Sequence, residues 1–278
     1  MTTVSTAVIF QELNETLERS MKTAIAKKST KSDAAVILIS SPADLLKFKT
    51  IGDDLRNNVL KMLKKNNIKF DDKTERTFSF NDDDTSNGVW VTLGKTKDIT
   101  FEKIRKAAAS ATKKLSEFKP STVSLFIPEI KGLDYAQTVK AAVEGAILAD
   151  YSFDRHISKK PNKIKSLSIN TNSYSKKIND AVNEALTLAE CTNIARDLVN
   201  EPANVIYPET LAAQAVELSK KYGFTAEIFD EFEIAKLKME AFLSVARAAE
   251  KRPKLIVLKH FGNQKSKEIT ALVGKGLT

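Results

Sequence analysis

Short apolar runs alternate with amphipathic segments along the first half of the chain. Runs of aliphatic and β-branched residues predict strands near 35–40, 88–93 and 121–127. Apolar residues at helical spacing predict helices near 53–65, 101–118 and 134–151. Strands that alternate with helices indicate a largely parallel sheet covered on both faces, so the predicted fold class is α/β.

The second half of the chain opens with a long helical pattern. No Gly or Pro interrupts 174–199, which predicts a connecting helix. The polar stretch 159–172 before it is interpreted as a loop, as is the polar stretch 74–87 in the first half of the chain. Pro208 and Gly223 have the positions expected at the start and just past the end of a further helix. Strand-like runs follow at 225–229, 242–246, 254–259 and 269–273. The predicted organisation is an N-terminal α/β domain over 1–172, a connecting helix over 173–199, and the opening of a second α/β domain over 200–278.

Composition and charge exclude some classes of protein. The 278 residues are 42% hydrophobic and 28% charged, as in ordinary globular domains, and no apolar run approaches the roughly 20 residues of a membrane helix. The first 21 residues resemble neither a secretory signal nor a transit peptide, so a cytoplasmic location is expected. A single cysteine, Cys191, excludes an intrachain disulfide, and we expect it to be a small buried residue of the connecting helix.

The net charge of +9 raises the possibility of nucleic-acid binding. The lysines occur in scattered pairs, however, and the densest basic stretch, 156–165, contains a proline and no aromatic residue for base stacking. Solvated helix faces and a basic surface loop explain most of this charge. Nucleic-acid binding therefore stays open as an alternative, together with a role in assembling partner subunits.

Few residues carry an obvious chemical signal. The three consecutive acids Asp82–Asp84 are typical of a surface loop, because neighbouring side chains do not easily converge on one cation. His156 and His260 belong to different predicted domains, and each is interpreted as an ordinary polar or core histidine.

Lys275 lies between Gly274 and Gly276, directly after the predicted strand 269–273. The spacing lacks the first glycine and the Ser or Thr of a phosphate-binding P-loop, and it lacks the third glycine of a dinucleotide fingerprint. A lysine at the end of a buried strand can lose its proton and act as a ligand or base, although most lysines after strands are solvated surface residues, so both interpretations stay open at this point.

Three blocks of the sequence together resemble the leucyl (cytosol) aminopeptidase family. They are Glu144–Arg155, then Ala195–Asn204 with Tyr207–Ala212, then Ala271–Thr278. The resemblance is specific from about residue 144 onward and concerns only the pattern of the fold before that. In this family the N-terminal domain has a macrodomain-like α/β fold, which leaves nucleotide binding as an alternative by analogy.

The resemblance implies a two-metal exopeptidase that removes N-terminal residues, often leucine, from peptides. Such enzymes use zinc, manganese or magnesium and usually form homohexamers. Lys275 matches the lysine whose side-chain nitrogen binds one metal. The family's carboxylate ligands, second catalytic lysine and arginine follow this strand beyond Thr278, so we expect the 278 residues alone to be inactive.

The chain also departs from the family pattern at one place. Ala248 and Ala249 stand where family members usually carry a Gly-Ser pair, and alanine could crowd a close backbone approach there. Asn200, Pro202 and Asn204 form an Asn-x-Pro turn for which capping and turn geometry are sufficient explanation.

Overall fold

A computed structural model describes residues 21–27, 31–70, 76–80 and 87–276. The described residues form two compact units, 21–197 and 198–276. Asp82–Asp84 lie outside the described residues. None of the helices in the described part of the chain is long and apolar enough to cross a bilayer.

The first unit contains a six-stranded sheet. Its strands are β1 (Lys22–Ile25), β2 (Ala34–Ile39), β3 (Arg76–Phe80), β4 (Asn87–Thr92), β5 (Thr122–Phe126) and β6 (Ser166–Asn170). The spatial order is β1-β6-β5-β2-β4-β3, and every neighbouring pair is parallel except β3 with β4.

Among the described residues, five α-helices belong wholly or mainly to this unit. They are α1 (Asp44–Lys47), α2 (Asp53–Lys65), α3 (Phe101–Leu115), α4 (Tyr135–Ala149) and α5 (Lys176–Asn200). The starts of α3 and α4 are fixed by side-chain caps: Thr100 Oγ1 accepts from the Lys103 N–H at 3.2 Å, and Asp134 Oδ1 accepts from the Gln137 N–H at 3.1 Å. The long connecting helix predicted over 174–199 corresponds to α5.

Apolar side chains cover both faces of the sheet. Because successive strand residues point to opposite faces, β2 supplies Val36 and Leu38 to one core and Ile37 and Ile39 to the other. Helices α3, α4 and α5 close the larger core, and α1 and α2 close the smaller one. The α/β class with a mostly parallel sheet is confirmed.

Two stretches interpreted as loops contain strands. In 74–87 the structure has β3, where Phe78 stacks on Trp90 of β4 with ring centroids 4.1 Å apart. In 159–172 it has β6, in which the buried residues Leu167 and Ile169 alternate with serines along the strand. The loop predictions were wrong because both strands are short and carry polar residues at alternate positions, so their pairing depends on neighbouring strands rather than on local sequence. The edge strand β1 was likewise not predicted.

The second unit contains α6 (Pro208–Tyr222), β7 (Thr225–Phe229), α7 (Glu231–Lys236), α8 (Glu240–Ala246) and β8 (Leu255–Lys259). Strands β7 and β8 form an antiparallel pair. Helix α6 begins at Pro208 and is followed by Gly223 at a φ of 74°, as the proline and glycine positions predicted.

Two of the strand predictions in the second unit are wrong. Residues 242–246 belong to helix α8, since a short apolar run does not by itself distinguish a helix from a strand. Residues 269–273 have no regular secondary structure, and Ile269, Leu272 and Val273 are 82%, 94% and 98% exposed. A strand forms only by pairing, and among the described residues this segment has no strand partner.

Helices α3 and α4 approach each other very closely at Gly145. A β-carbon at this position would lie 2.1 Å from the backbone oxygen of Arg105. Alanine is the commonest residue at the buried positions of both helices, with Ala108 and Ala142 among them, and such small side chains permit a close approach. Glycine at 145 is therefore required by the packing of the larger core.

We predict that Gly145→Ala destabilises the first unit by about 2–4 kcal/mol, because the added methyl group collides with backbone rather than with a flexible side chain. Gly52→Ala is the matched control: nothing lies within 4 Å of its β-carbon position and its φ is −67°, so we expect a loss of less than about 1 kcal/mol. Denaturant unfolding followed by circular dichroism measures both. Equal effects would contradict the close-packing explanation.

Candidate functional site

Lys275, the residue that the sequence singles out as a metal ligand, lies in the irregular segment that follows β8 and is exposed. A β-carbon on either flanking glycine, Gly274 or Gly276, would meet nothing within 4 Å, so there is open space around this backbone. No group of three His, Cys, Asp or Glu residues that could hold a metal ion occurs in the described part of the chain. The described structure thus provides one candidate ligand at this place.

The Asn-x-Pro block forms a compact turn after α5. The Pro202 carbonyl accepts from the N–H groups of Val205 and Ile206 at 2.9 and 3.0 Å. The Thr210 hydroxyl accepts from the Tyr207 N–H at 2.9 Å and lies 2.8 Å from the Val205 carbonyl, to which it can donate. Val205 and Ile206 are buried and pack with Leu198 near the end of α5 and Leu211 near the start of α6. These contacts are those of a rigid turn, which agrees with the interpretation of this block through capping and turn geometry.

The remaining candidate residues are exposed. His156 and His260 lie on the surface of separate units, and the His156 ring contacts Phe153 edge-on at 5.7 Å. Cys191 lies on α5 as expected but is exposed, so the prediction that it is buried was wrong. The buried stripe of α5 runs instead through Ile178, Val182 and Ala185, and Cys191 falls outside it.

Ala248 and Ala249 lie in the turn that follows α8, and both are exposed. The described residues therefore do not crowd these two positions. The effect of replacing the family's usual Gly-Ser pair stays a prediction.

A buried polar cluster that the sequence did not identify surrounds the end of α5. Asp197 is its centre: Oδ1 accepts from the Tyr151 hydroxyl at 2.8 Å, and Oδ2 accepts from Arg155 Nη2 at 3.3 Å. The Arg155 and Asp197 side chains are 7% and 6% exposed. Arg196 stacks over the Tyr151 ring at 3.7 Å and donates to the Leu148 carbonyl at 2.9 Å. These contacts attach the last turns of α5 to the end of α4.

Two lysines of the basic loop that follows this cluster bind groups of the same loop. Lys163 Nζ lies 3.0 Å from Asp154 Oδ2 and 3.3 Å from the Ser152 carbonyl, and Lys160 Nζ donates to the Asp154 carbonyl. Two of the lysines that suggested a nucleic-acid surface are therefore engaged inside the loop. Burial raises the pKa of the nearby Asp150 carboxyl to about 6, although the Ile164 N–H and the Lys163 charge act in the opposite direction.

The sequence contained these residues but no signal for their contacts. Tyr151 and Arg155 are 46 and 42 residues from Asp197 along the chain. Their segments belong to the blocks that resemble a known family, but nothing in spacing or periodicity indicates that a buried ion pair joins them.

Comparison with known families matches both parts of the chain. Residues 36–160 match the model described as "Cytosol aminopeptidase family, N-terminal domain", and residues 193–278 match "Cytosol aminopeptidase family, catalytic domain". The probable cytosol aminopeptidase of Clostridium perfringens is 40% identical over 206 residues, which is 71% of this chain and 41% of that protein. The corresponding protein of Treponema denticola is 40% identical over 212 residues, 75% of this chain and 44% of its own length. The chain thus spans about two fifths of these relatives.

Solved structures of similar fold include a mutant of tomato leucine aminopeptidase. It has a TM-score of 0.69 and 18% identity, over 86% of this chain and 50% of that one. The bottromycin maturation enzyme BotP in complex with Mn has a TM-score of 0.62 and 21% identity, over 81% of this chain and 44% of that one. At these identities the likeness establishes the fold alone.

The buried cluster predicts a large effect of Asp197→Ala on stability. The substitution removes the buried carboxylate that accepts from the Tyr151 hydroxyl and the Arg155 guanidinium, so we expect a loss of about 3–5 kcal/mol. Asp180→Ala, which removes an exposed pair with Lys176 on the same helix, is expected to cost less than about 0.5 kcal/mol. Thermal unfolding of both variants measures the difference, and a small effect of Asp197→Ala would show that the cluster does not hold α5.

Proposed function

Since the chain belongs to the cytosol aminopeptidase family, we propose that it forms the N-terminal domain and the first part of the catalytic domain of a metal-dependent aminopeptidase. Its substrates in this proposal are peptides, from which it removes N-terminal residues such as leucine. The observation that carries the proposal is the presence of both family domains in order, over 36–160 and 193–278.

The proposed cofactor is a pair of divalent ions, manganese, zinc or magnesium, with Lys275 as one ligand. A neutral lysine amine is a chemically reasonable ligand, because a bound cation favours the deprotonated form. The open space beside the flanking glycines would admit an ion. One amine does not hold a metal pair, however, and the described residues offer no further cluster of ligands, so they do not fit the two-metal site by themselves. The chemistry that such a pair would supply is polarisation of the scissile carbonyl and activation of water.

Two further parts of the proposal concern the activity of the 278 residues and the location and assembly of the complete enzyme. We propose that the 278 residues alone are inactive, since the one candidate ligand among the described residues cannot fix two ions. We also propose that the complete enzyme works in the cytoplasm and assembles as a homohexamer. A non-catalytic role in binding nucleic acid or partner subunits is the alternative, and the net charge of +9 is the observation that favours it.

Hydrolysis of a leucyl-arylamide in the presence of manganese or zinc tests the enzymatic proposal. The assay compares the 278-residue chain with the same chain extended by whatever its transcript encodes after residue 278. We expect activity in the extended chain only. Activity in neither chain, together with duplex DNA binding that weakens steeply between low and moderate salt, would favour the alternative function.

The role of Lys275 is tested in the form that is active. Lys275→Met removes the proposed ligand, so we expect hydrolysis to fall at least about a hundredfold and manganese binding, measured by calorimetry, to weaken. Lys267→Met removes an exposed lysine from the same segment and should leave both unchanged. Full manganese binding and activity in Lys275→Met would rule out the assignment.

A further inference from the structure

Most exposed apolar side chains of the described residues lie in the second unit. Ten of the fourteen large apolar side chains that are exposed fall between Val199 and Val273, and the other four lie in the much longer first unit. The buried apolar cluster of the second unit is small by comparison and centres on Val205 and Ile206. Exposed apolar surface of this density is typical of a site that binds another protein segment.

Two of the apolar stretches in this unit lack strand partners among the described residues. The segment 269–273 has no regular secondary structure, and its residues are exposed. Strand β8 pairs with β7 along one edge, and its other edge has no partner in the part of the chain that the structure describes. None of the four aliphatic residues of β8, Leu255–Leu258, is fully buried. An open edge of this kind accepts a further strand.

We propose that the open edge of β8 binds the segment 269–273 of a second copy of this chain. Each copy carries one such edge and one such segment, so two copies related by a two-fold axis pair both at once. Backbone hydrogen bonds supply the affinity, as in other cases where an extended segment adds to a sheet. The aliphatic side chains of the two strands then lie side by side and exclude water.

The distribution of charge favours contact through the second unit. Residues 21–197 contain 31 Lys and Arg against 22 Asp and Glu, whereas residues 198–278 contain 12 against 10. A net charge of +9 on the first stretch opposes contact between two copies there, and +2 on the second opposes it little. Glu268 directly precedes the segment and Lys259 ends β8, so antiparallel pairing brings opposite charges together.

The proposed interface is small, because it consists of one five-residue strand on the edge of a sheet. Binding is therefore weak, and we expect separate copies at about 1 μM and dimers at about 100 μM. In the separate copies 269–273 is exposed. In the dimer the same segment is a strand, which orders the residues directly before Lys275.

Sedimentation velocity of the intact 278-residue chain tests the proposal. We expect a species with the mass of one chain, 30.8 kDa, at about 1 μM and a discrete species of twice that mass at about 100 μM. Leu272→Lys places a charge in the paired strand and should raise the dissociation constant at least about tenfold. Leu46→Lys is the matched control: it makes the same change at an exposed position of the first unit and should leave the dissociation constant unaltered.

Cross-linking of lysine side chains identifies the groups that meet. Lys267 and Lys275 flank the segment, Lys254 precedes β8 and Lys259 ends it, so an amine-reactive cross-linker can join one pair to the other. Unlabelled chains and chains labelled with heavy nitrogen are mixed in equal amounts at about 100 μM before the reaction. Pairing between copies gives cross-links that carry both labels, whereas a hairpin closed by 260–268 within one copy gives cross-links of a single label.

A species of 30.8 kDa alone at about 100 μM would overturn the proposal. Cross-links of a single label alone would overturn it too, since 269–273 would then pair with β8 of its own copy. Leu272 is 94% exposed, so Leu272→Lys leaves the fold of the separate copy intact. Association that this variant does not weaken would therefore show that the copies meet through another surface.

Discussion

The close approach of α3 and α4 at Gly145 positions much of the first unit. The absence of a side chain there lets the Arg105 backbone come within the space that a β-carbon would occupy. The neighbouring Glu144, whose side chain is buried, then meets the Arg105 guanidinium, with Nε at 2.9 Å and Nη2 at 2.8 Å. A buried carboxylate needs such a partner. The same contact fixes the course of α4, and so the place where its last carbonyls and Asp150 meet α5 and the following loop.

How much the sequence predicted depends on how local the determinants are. The helix over 53–65 was predicted with the bounds that α2 has, because its acidic start, basic end and apolar spacing all lie within the segment. Strands β3 and β6 were missed because their stability comes from Trp90 and other residues of neighbouring strands. The segment 269–273 has the composition of a strand buried on both faces, but that composition produces a strand only where a partner and a cover are present.

The candidate site likewise has features that the sequence predicts and features that depend on long-range contacts. Resemblance located the segments 144–155, 195–212 and 271–278, and the family comparison confirmed the family to which they belong. The resemblance did not predict that Asp197 binds Tyr151 and Arg155, because contacts between residues so far apart in the chain produce no periodic pattern in the sequence. The two units also differ in how much apolar surface they bury. The first has two cores on a six-stranded sheet, whereas the second exposes Phe232, Phe261 and Leu272 around a two-stranded one.

The central claim is that the first unit is a fully packed α/β domain while the strand-like segment before Lys275 lacks the cover it needs. Hydrogen exchange with mass spectrometry over the whole chain tests this most directly. The account predicts strong protection of β2, β4 and β5 and exchange within seconds for 269–273, where Ile269, Leu272 and Val273 are more than four-fifths exposed. Protection of 269–273 equal to that of β2 would contradict it, since the segment would then be a paired and covered strand in the chain as it stands.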